Sequence, residues 1–234
     1  FRSVNPEFWN AFLPKIMAAA RAAGKPDFGV FGEVYDANPY YLSTFIQEQS
    51  FPSVLDFGFQ RNALGFAKTD GQVPRLIDMF NQDDLYTTAT QSAYGIPTFM
   101  GNHDMGRTGY FIYSATYGDD ELTLQRSKLA NEVLFFSRGA PVLYYGDEKG
   151  MVGSGGDKSA RQDMFPTQVK EWQEEYRIGT SPIGLKSAFD VTNPLQDQIT
   201  SIGELIQKNP ALRSGTQQIR ATSRSAIAMS RYFD

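Results

Sequence analysis

Ile96-Pro97-Thr98-Phe99-Met100-Gly101-Asn102-His103-Asp104 decides how this chain folds, because an apolar run ends there in a polar triplet holding the sequence's one histidine. A short apolar run with a β-branched and an aromatic member reads as a strand buried on both faces, and Gly101 marks its break. Asn and Asp are also ordinary turn formers, so the triplet alone reads equally as a turn. A second segment, Phe28-Gly29-Val30-Phe31-Gly32-Glu33-Val34-Tyr35, tips the balance. It is an apolar, aromatic strand pattern with one carboxylate near its end, and a buried acid is costly unless it is paired or useful.

Helical signals lie between these strands. Asn5-Pro6-Glu7 reads as a helix start, with Asn5 as cap, Pro6 at the first helical position and an acid in the first turn. Trp9, Phe12, Leu13, Ile16, Met17 and Ala20 then recur at helical spacing, and Gly24-Lys25-Pro26 ends the element. Pro52 to Phe57 is a short buried strand, followed by helical stretches from Gln60 to Lys68 and from Val73 to Asn81. Glu121 to Arg138 forms a helix terminated by Gly139, and Pro141 to Gly146 is the fourth strand. A Gly-rich, polar loop from Asp147 to about Pro182 precedes a last long helix from Pro194 to Lys208. Apolar strands alternating with helices predict a parallel sheet covered on both faces. Beyond Arg213 the pattern changes, with Ala226 to Ser230 reading as an antiparallel strand and a domain boundary near Ser214-Gly215.

Composition narrows the function. The 234 residues are 41% hydrophobic and 14% aromatic, as a folded globular chain requires. A net charge of -4 with scattered basic residues argues against a nucleic-acid partner. The absence of cysteine excludes disulfides and thiolate metal sites, and one histidine leaves oxygen-ligand cations such as calcium. No apolar run approaches the roughly 18 residues needed to span a bilayer, and the amino terminus carries no signal-peptide pattern.

In parallel β/α architectures functional groups gather at the carboxyl ends of the strands. Those ends carry Glu33, Asp56, Asp104 and Asp147. A ring of acids with aromatic neighbours suits glycoside chemistry, in which carboxylates protonate a glycosidic oxygen and offset oxocarbenium charge. Tyr35, Tyr144 and Tyr145 offer faces for stacking on sugars, although core packing is the stronger reading for the last two.

These residues resemble the α-amylase family of glycoside hydrolases, and the resemblance runs from residue 1 to residue 234. Gly32-Glu33-Val34-Tyr35 is similar to the family's acid/base segment on the fifth barrel strand, and Gly101-Asn102-His103-Asp104 to its seventh-strand segment. The two lie in the right order about 70 residues apart. Phe51 to Phe57 resembles the sixth strand, Gly139 to Glu148 the eighth, and Asp157 to Phe165 the region beyond it. The resemblance implies an α/β fold: the C-terminal half of a (β/α)8 TIM barrel over 1–213, then the beginning of an antiparallel β domain over 214–234.

Carried over residue by residue, the resemblance makes Glu33 the general acid/base, enclosed enough to hold its proton near neutral pH. It makes Asp104 the second carboxylate, stabilising the transition state. His103 would bind the sugar at the cleaved position, Asn102 would help to hold the turn, and Arg2 and Tyr35 would complete the substrate contacts. A retaining mechanism also needs a carboxylate nucleophile, which the family places on the fourth strand. Phe1-Arg2-Ser3-Val4 lines up with the tail of that segment, with Ser3 where histidine often stands, so the nucleophilic aspartate is expected two residues before Phe1.

The expected activity is cleavage of α-glucosidic bonds in an α-glucan or malto-oligosaccharide by a longer parent enzyme, the isolated chain being inactive. No cofactor is expected for the chemistry. A structural calcium fits the longer parent, with its usual ligands mostly outside this chain, and no metal ligand is assigned here; Asp157 reads as a solvated turn residue. An extracellular location suits a polymer-degrading enzyme. The alternative is a non-catalytic barrel serving as a carbohydrate-binding or interaction module, distinguished by the residue two positions before Phe1.

Overall fold

The computed structural model of the chain describes residues 3–233. Arg2, expected among the substrate contacts, lies outside the described residues.

Local capping chemistry fixes most helix starts. Helix α1 (Pro6–Ala22) has Asn5 at its N-cap position and Pro6 in its first turn, but the Asn5 side chain makes no capping bond. In α2 (Pro39–Gln47) the Asn38 side chain accepts from Tyr40 N–H, and in α3 (Phe57–Lys68) Asp56 accepts from Phe59 N–H at 2.7 Å. Helix α4 spans Val73–Phe80 and α5 Thr108–Ala115. Helix α6 (Asp120–Phe136) is capped by Asp119 and carries Asp120 and Glu121 in its first turn, where acids complement the exposed amides. The region expected as a plain loop contains α7 (Lys170–Glu174) and two short 3-10 turns, Asp147–Lys149 and Asp157–Ala160. Helix α8 (Pro194–Lys208) begins at the Asn193 cap, and α9 (Pro210–Ser214) leads into a hairpin of β3 (Thr216–Thr222) and β4 (Ile227–Tyr232).

Four extended segments form a parallel wall in sequence order. Gly32 bridges Val54, Asp56 N–H donates to the Pro97 carbonyl at 3.0 Å, and β1 (Pro97–Thr98) pairs in parallel with β2 (Ala140–Pro141). Helices lie between successive segments, so each connection is a β/α crossover, the pattern a parallel sheet needs. The regular ladders are much shorter than the expected strands at 28–35, 52–57, 96–100 and 141–146. Pro97 and Pro141 have no amide hydrogen to give, which interrupts the ladder at two adjacent segments.

The main core lies among α3, α4, α5 and α6, where Phe59, Leu64, Leu76, Ile112 and Leu134 are buried, and Ile219, Ile227 and Met229 of the hairpin pack against it. A second core joins α1, α2 and the first two wall segments through Leu13, Leu42, Phe45, Val34 and Val54. Only Leu13 of the α1 face expected to be apolar and packed is fully buried, while Phe12 stays 43% exposed.

The turn from α6 into β2 depends on Gly139, which sits at φ +106° against β1. A Cβ there would collide with Thr98 Cγ2 and lie 3.0 Å from the Ile96 carbonyl oxygen. Gly139→Ala is therefore expected to cost about 1–3 kcal/mol of stability. Chemical denaturation checks this, and an unchanged midpoint would show that the turn relaxes freely.

A candidate glycosidase site at the strand ends

Asn102, His103 and Asp104 form a tight loop at the end of the third wall segment. Asn102 and Gly106 exchange backbone hydrogen bonds, and Asn102 Oδ1 accepts from the amides of Asp104 and Met105 at 3.0 and 2.8 Å. Asn102 thus shapes the turn, while His103 and Asp104 project from it, both about half exposed. Asp104 Oδ1 lies 3.3 Å from His103 Nε2 and 3.3 Å from Arg161 Nη2. Arg161 also holds Asp157 at 2.8 Å, so the Asp104 carboxylate sits between an imidazole and a shared guanidinium. Among the described residues Oδ2 has no hydrogen-bond donor, leaving it for a hydroxyl.

The Gly-rich loop has a steric role here. Gly106 adopts φ +109°, and a Cβ on it would lie 2.8 Å from the Gly155 carbonyl oxygen, so glycine lets the 153–157 loop close against the Asp104 turn. Asp157 N–H donates to the Asp104 carbonyl at 3.2 Å, which seals the two loops together.

Arg107 supports this assembly from below. It is fully buried, donating from Nη1 to the Tyr145 carbonyl and Asp147 Oδ1 and from Nε to Gln162 Oε1 at 2.7 Å. Its guanidinium lies 4.6 Å from the centre of the Tyr144 ring and 5.1 Å from that of Tyr145. Burial pushes the Tyr144 phenol up to about 12, so it remains a donor to the Ala160 carbonyl. Tyr144 and Tyr145 are not fully buried core residues as expected: Tyr145 is exposed and Tyr144 half-buried, both rings lie against a buried cation, and Tyr144 lies 6.5 Å from the His103 ring. The sequence pattern singles out neither Arg107 nor Arg161. The signal for Arg107 is a lone basic residue three positions after Asp104.

Glu33 alternates with buried Gly32 and Val34 and faces outward. The described residues therefore do not supply the enclosure expected around it. Tyr35 is also exposed, its ring 4.9 Å from Phe57, which in turn meets Phe99 at 5.0 Å, so an aromatic row crosses the ends of the first three segments. Tyr35, Phe57 and Met105 line one open cleft of about 450 Å³, which joins the segment bearing Glu33 to the loop bearing Asp104.

Two of the four strand-end acids are not site groups. Asp56 is buried, caps α3 and receives Arg138 Nη1 at 2.6 Å. Asp147 is held by Arg107 at 2.9 Å; burial pushes its carboxyl up while the guanidinium pulls it back. Among the described residues no group of three or more histidine or carboxylate side chains could hold a metal ion, and no helix is long and apolar enough to cross a membrane.

A parallel β/α wall with exposed acids at two of its strand ends and a cleft lined by Tyr35 and Phe57 beside them defines a class of enzyme-like domain in which loops carry the chemistry. Residues 4–200 match the alpha-amylase catalytic-domain family, and the chain belongs to it. It is 41% identical over 221 residues to an alpha-amylase from Streptomyces lividans, covering 94% of this chain and 24% of that protein. An alpha-amylase from Niallia circulans is 26% identical over 218 residues, covering 89% of this chain and 33% of that protein. The chain thus spans about a quarter to a third of these relatives' length. The crystal structure of an Anoxybacillus alpha-amylase superimposes with a TM-score of 0.75 at 22% identity, covering 99% of this chain and 43% of that one. The fold is accordingly of the TIM-barrel type.

Proposed function

We propose that the protein carrying this chain is a retaining glycoside hydrolase acting on α-glucosidic bonds of starch-like glucans. The observation that carries this reading is the Asp104 carboxylate, set between His103 and Arg161, beside a cleft that runs from Met105 of the same loop to Tyr35, two residues beyond Glu33. Membership of a family whose curated relatives are named alpha-amylases supports the substrate class.

In this reading Glu33 gives its proton to the glycosidic oxygen as the bond to the anomeric carbon breaks. An aspartate just upstream of Phe1 attacks that carbon, forming a covalent glycosyl-enzyme. Glu33, now a carboxylate, takes a proton from the water that displaces the aspartate, which restores both groups. Asp104 and His103 hydrogen-bond sugar hydroxyls as positive charge develops on the ring, Arg2 and Tyr35 add substrate contacts, and Asn102 holds the turn. These steps call for no cofactor, and no cation site is assigned to these residues. The four wall segments are then the C-terminal half of the barrel, over 1–213, and the hairpin at 214–234 begins the following β domain.

The test follows the anomer released from malto-oligosaccharides by the full-length protein. Retention of the α configuration is expected, with no turnover by the 234-residue chain alone. Release of the β anomer, or measurable cleavage by the isolated chain, would overturn the nucleophile assignment.

A further inference from the structure

A groove of about 320 Å³ lies between α5 and the segments around Gly153 and Tyr176, and shares no lining residue with the cleft at Tyr35 and Met105. Tyr110 and Tyr113 of α5, Tyr117 just beyond it and Tyr176 give it an aromatic lining, and Glu175 a carboxylate. The Tyr113 and Tyr176 rings lie 4.5 Å apart at 31°, close to a stacked platform. Tyr117 is 97% exposed and sits at φ +54°, a left-handed conformation that a bulky residue adopts only at a cost. The left-handed turn closes the end of α5, where Gly118 N–H donates to the Tyr113 carbonyl at 3.2 Å, and it leaves the Tyr117 ring standing in solvent beside the groove.

The chemistry of the groove selects its ligand. Both Glu175 oxygens accept from Gln162 Nε2, at 2.8 and 3.0 Å, which fixes the carboxylate at the groove wall; burial pushes its pKa up. Asp119 and Asp120 stand at the start of α6 nearby, and burial together with the Asp120 carboxylate holds the Tyr176 phenol above its usual range. The carboxylates near the rim disfavour phosphates and other anions. Phenol rings with accepting carboxylates instead suit a neutral ring with an apolar face and hydroxyls at its edge.

We propose, as an inference that rests on the glucan-cleaving role above, that this tyrosine groove is a second glucan-binding site, which holds an α-glucan chain outside the catalytic cleft. Gln162 links the two regions physically, since it binds Glu175 on one side and Arg107 beneath the Asp104 loop on the other. A long substrate engages both regions, and a short one only the cleft.

The experiment uses the full-length protein with two probes, granular starch for adsorption and soluble maltotriose for catalysis. Tyr117→Ala removes a ring that supports no packing, so its fold is secure, and Tyr113→Ala/Tyr117→Ala removes the platform. Adsorption is expected to fall roughly tenfold for each stacking ring lost. The maltotriose kcat/KM should not change, and Tyr117→Trp should restore adsorption. Unchanged adsorption in the variants, no adsorption by the wild type, or a parallel loss of maltotriose cleavage would each overturn the groove. Granule binding that depends on these tyrosines in a protein cleaving no glucan would instead overturn the catalytic reading and keep the groove.

Discussion

Arg138→Met is expected to lower stability by about 3–5 kcal/mol, because it removes a buried cation and leaves its two carboxylates without their partner. The Arg138 guanidinium donates to Asp56 at 2.6 Å and to both oxygens of Asp83 at 2.9 Å, and its side chain is 1% exposed. It also lies 5.5 Å from the centre of the Phe80 ring, inside the packing between α3 and α4. The Asp56 carboxylate is at the same time the cap of α3, so the loss reaches a wall segment and the helix that follows it. Arg138→Lys keeps the charge but cannot reproduce the forked contact, and its stability should fall between those of the wild type and Arg138→Met. Guanidinium denaturation followed by tryptophan fluorescence reads the change. A loss near the ~0–1 kcal/mol of an exposed pair would show that the two aspartates find other partners.

Glu33→Gln in the full-length protein is expected to lower kcat on malto-oligosaccharides by about 10²–10⁴-fold, the usual contribution of a positioned general acid. Glu33 is exposed and supports no core contact, so the denaturation midpoint should not move. The loss should shrink on aryl α-glucosides, whose leaving groups depart with little protonation. Ordinary activity in the Glu33→Gln enzyme would remove this carboxyl from the chemistry, and an equal loss on both substrates would make it a binding group.

Where local chemistry decides an element, the sequence made it legible. Helix α8 runs from Pro194 to Lys208 as its Asn-Pro start and apolar spacing require, and α6 differs from its expected bounds by one or two residues. Helix α5 carries no such signal, and in α2 the Asn38-Pro39 start is followed by residues that do not continue it. Their residues include Tyr40, Tyr41, Phe45 and Ile46, and Tyr110, Phe111 and Ile112, which favour strands locally and become helical through packing. At the site, the turn-forming character of Asn102 is visible in its residue type. The structural roles of Asp56 and Asp147 are not, because their arginines stand 82 and 40 positions away. Ion pairs formed across such distances leave no trace in a local pattern, so a buried structural acid and a catalytic one look alike until the chain is folded.

The hairpin does more than follow the last helices. Gln217 Oε1 accepts the Arg138 amide at 2.8 Å, and Arg231 Nη1 donates to the Phe136 and Ser137 carbonyls at 3.1 and 2.9 Å. Those carbonyls end α6, where a helix leaves acceptors unsatisfied. A recombination joint or protease nick at 214–215 would therefore cut a helix of the wall from its terminator. The exchangeable module is the wall together with its hairpin, and shuffling between relatives should preserve that seam.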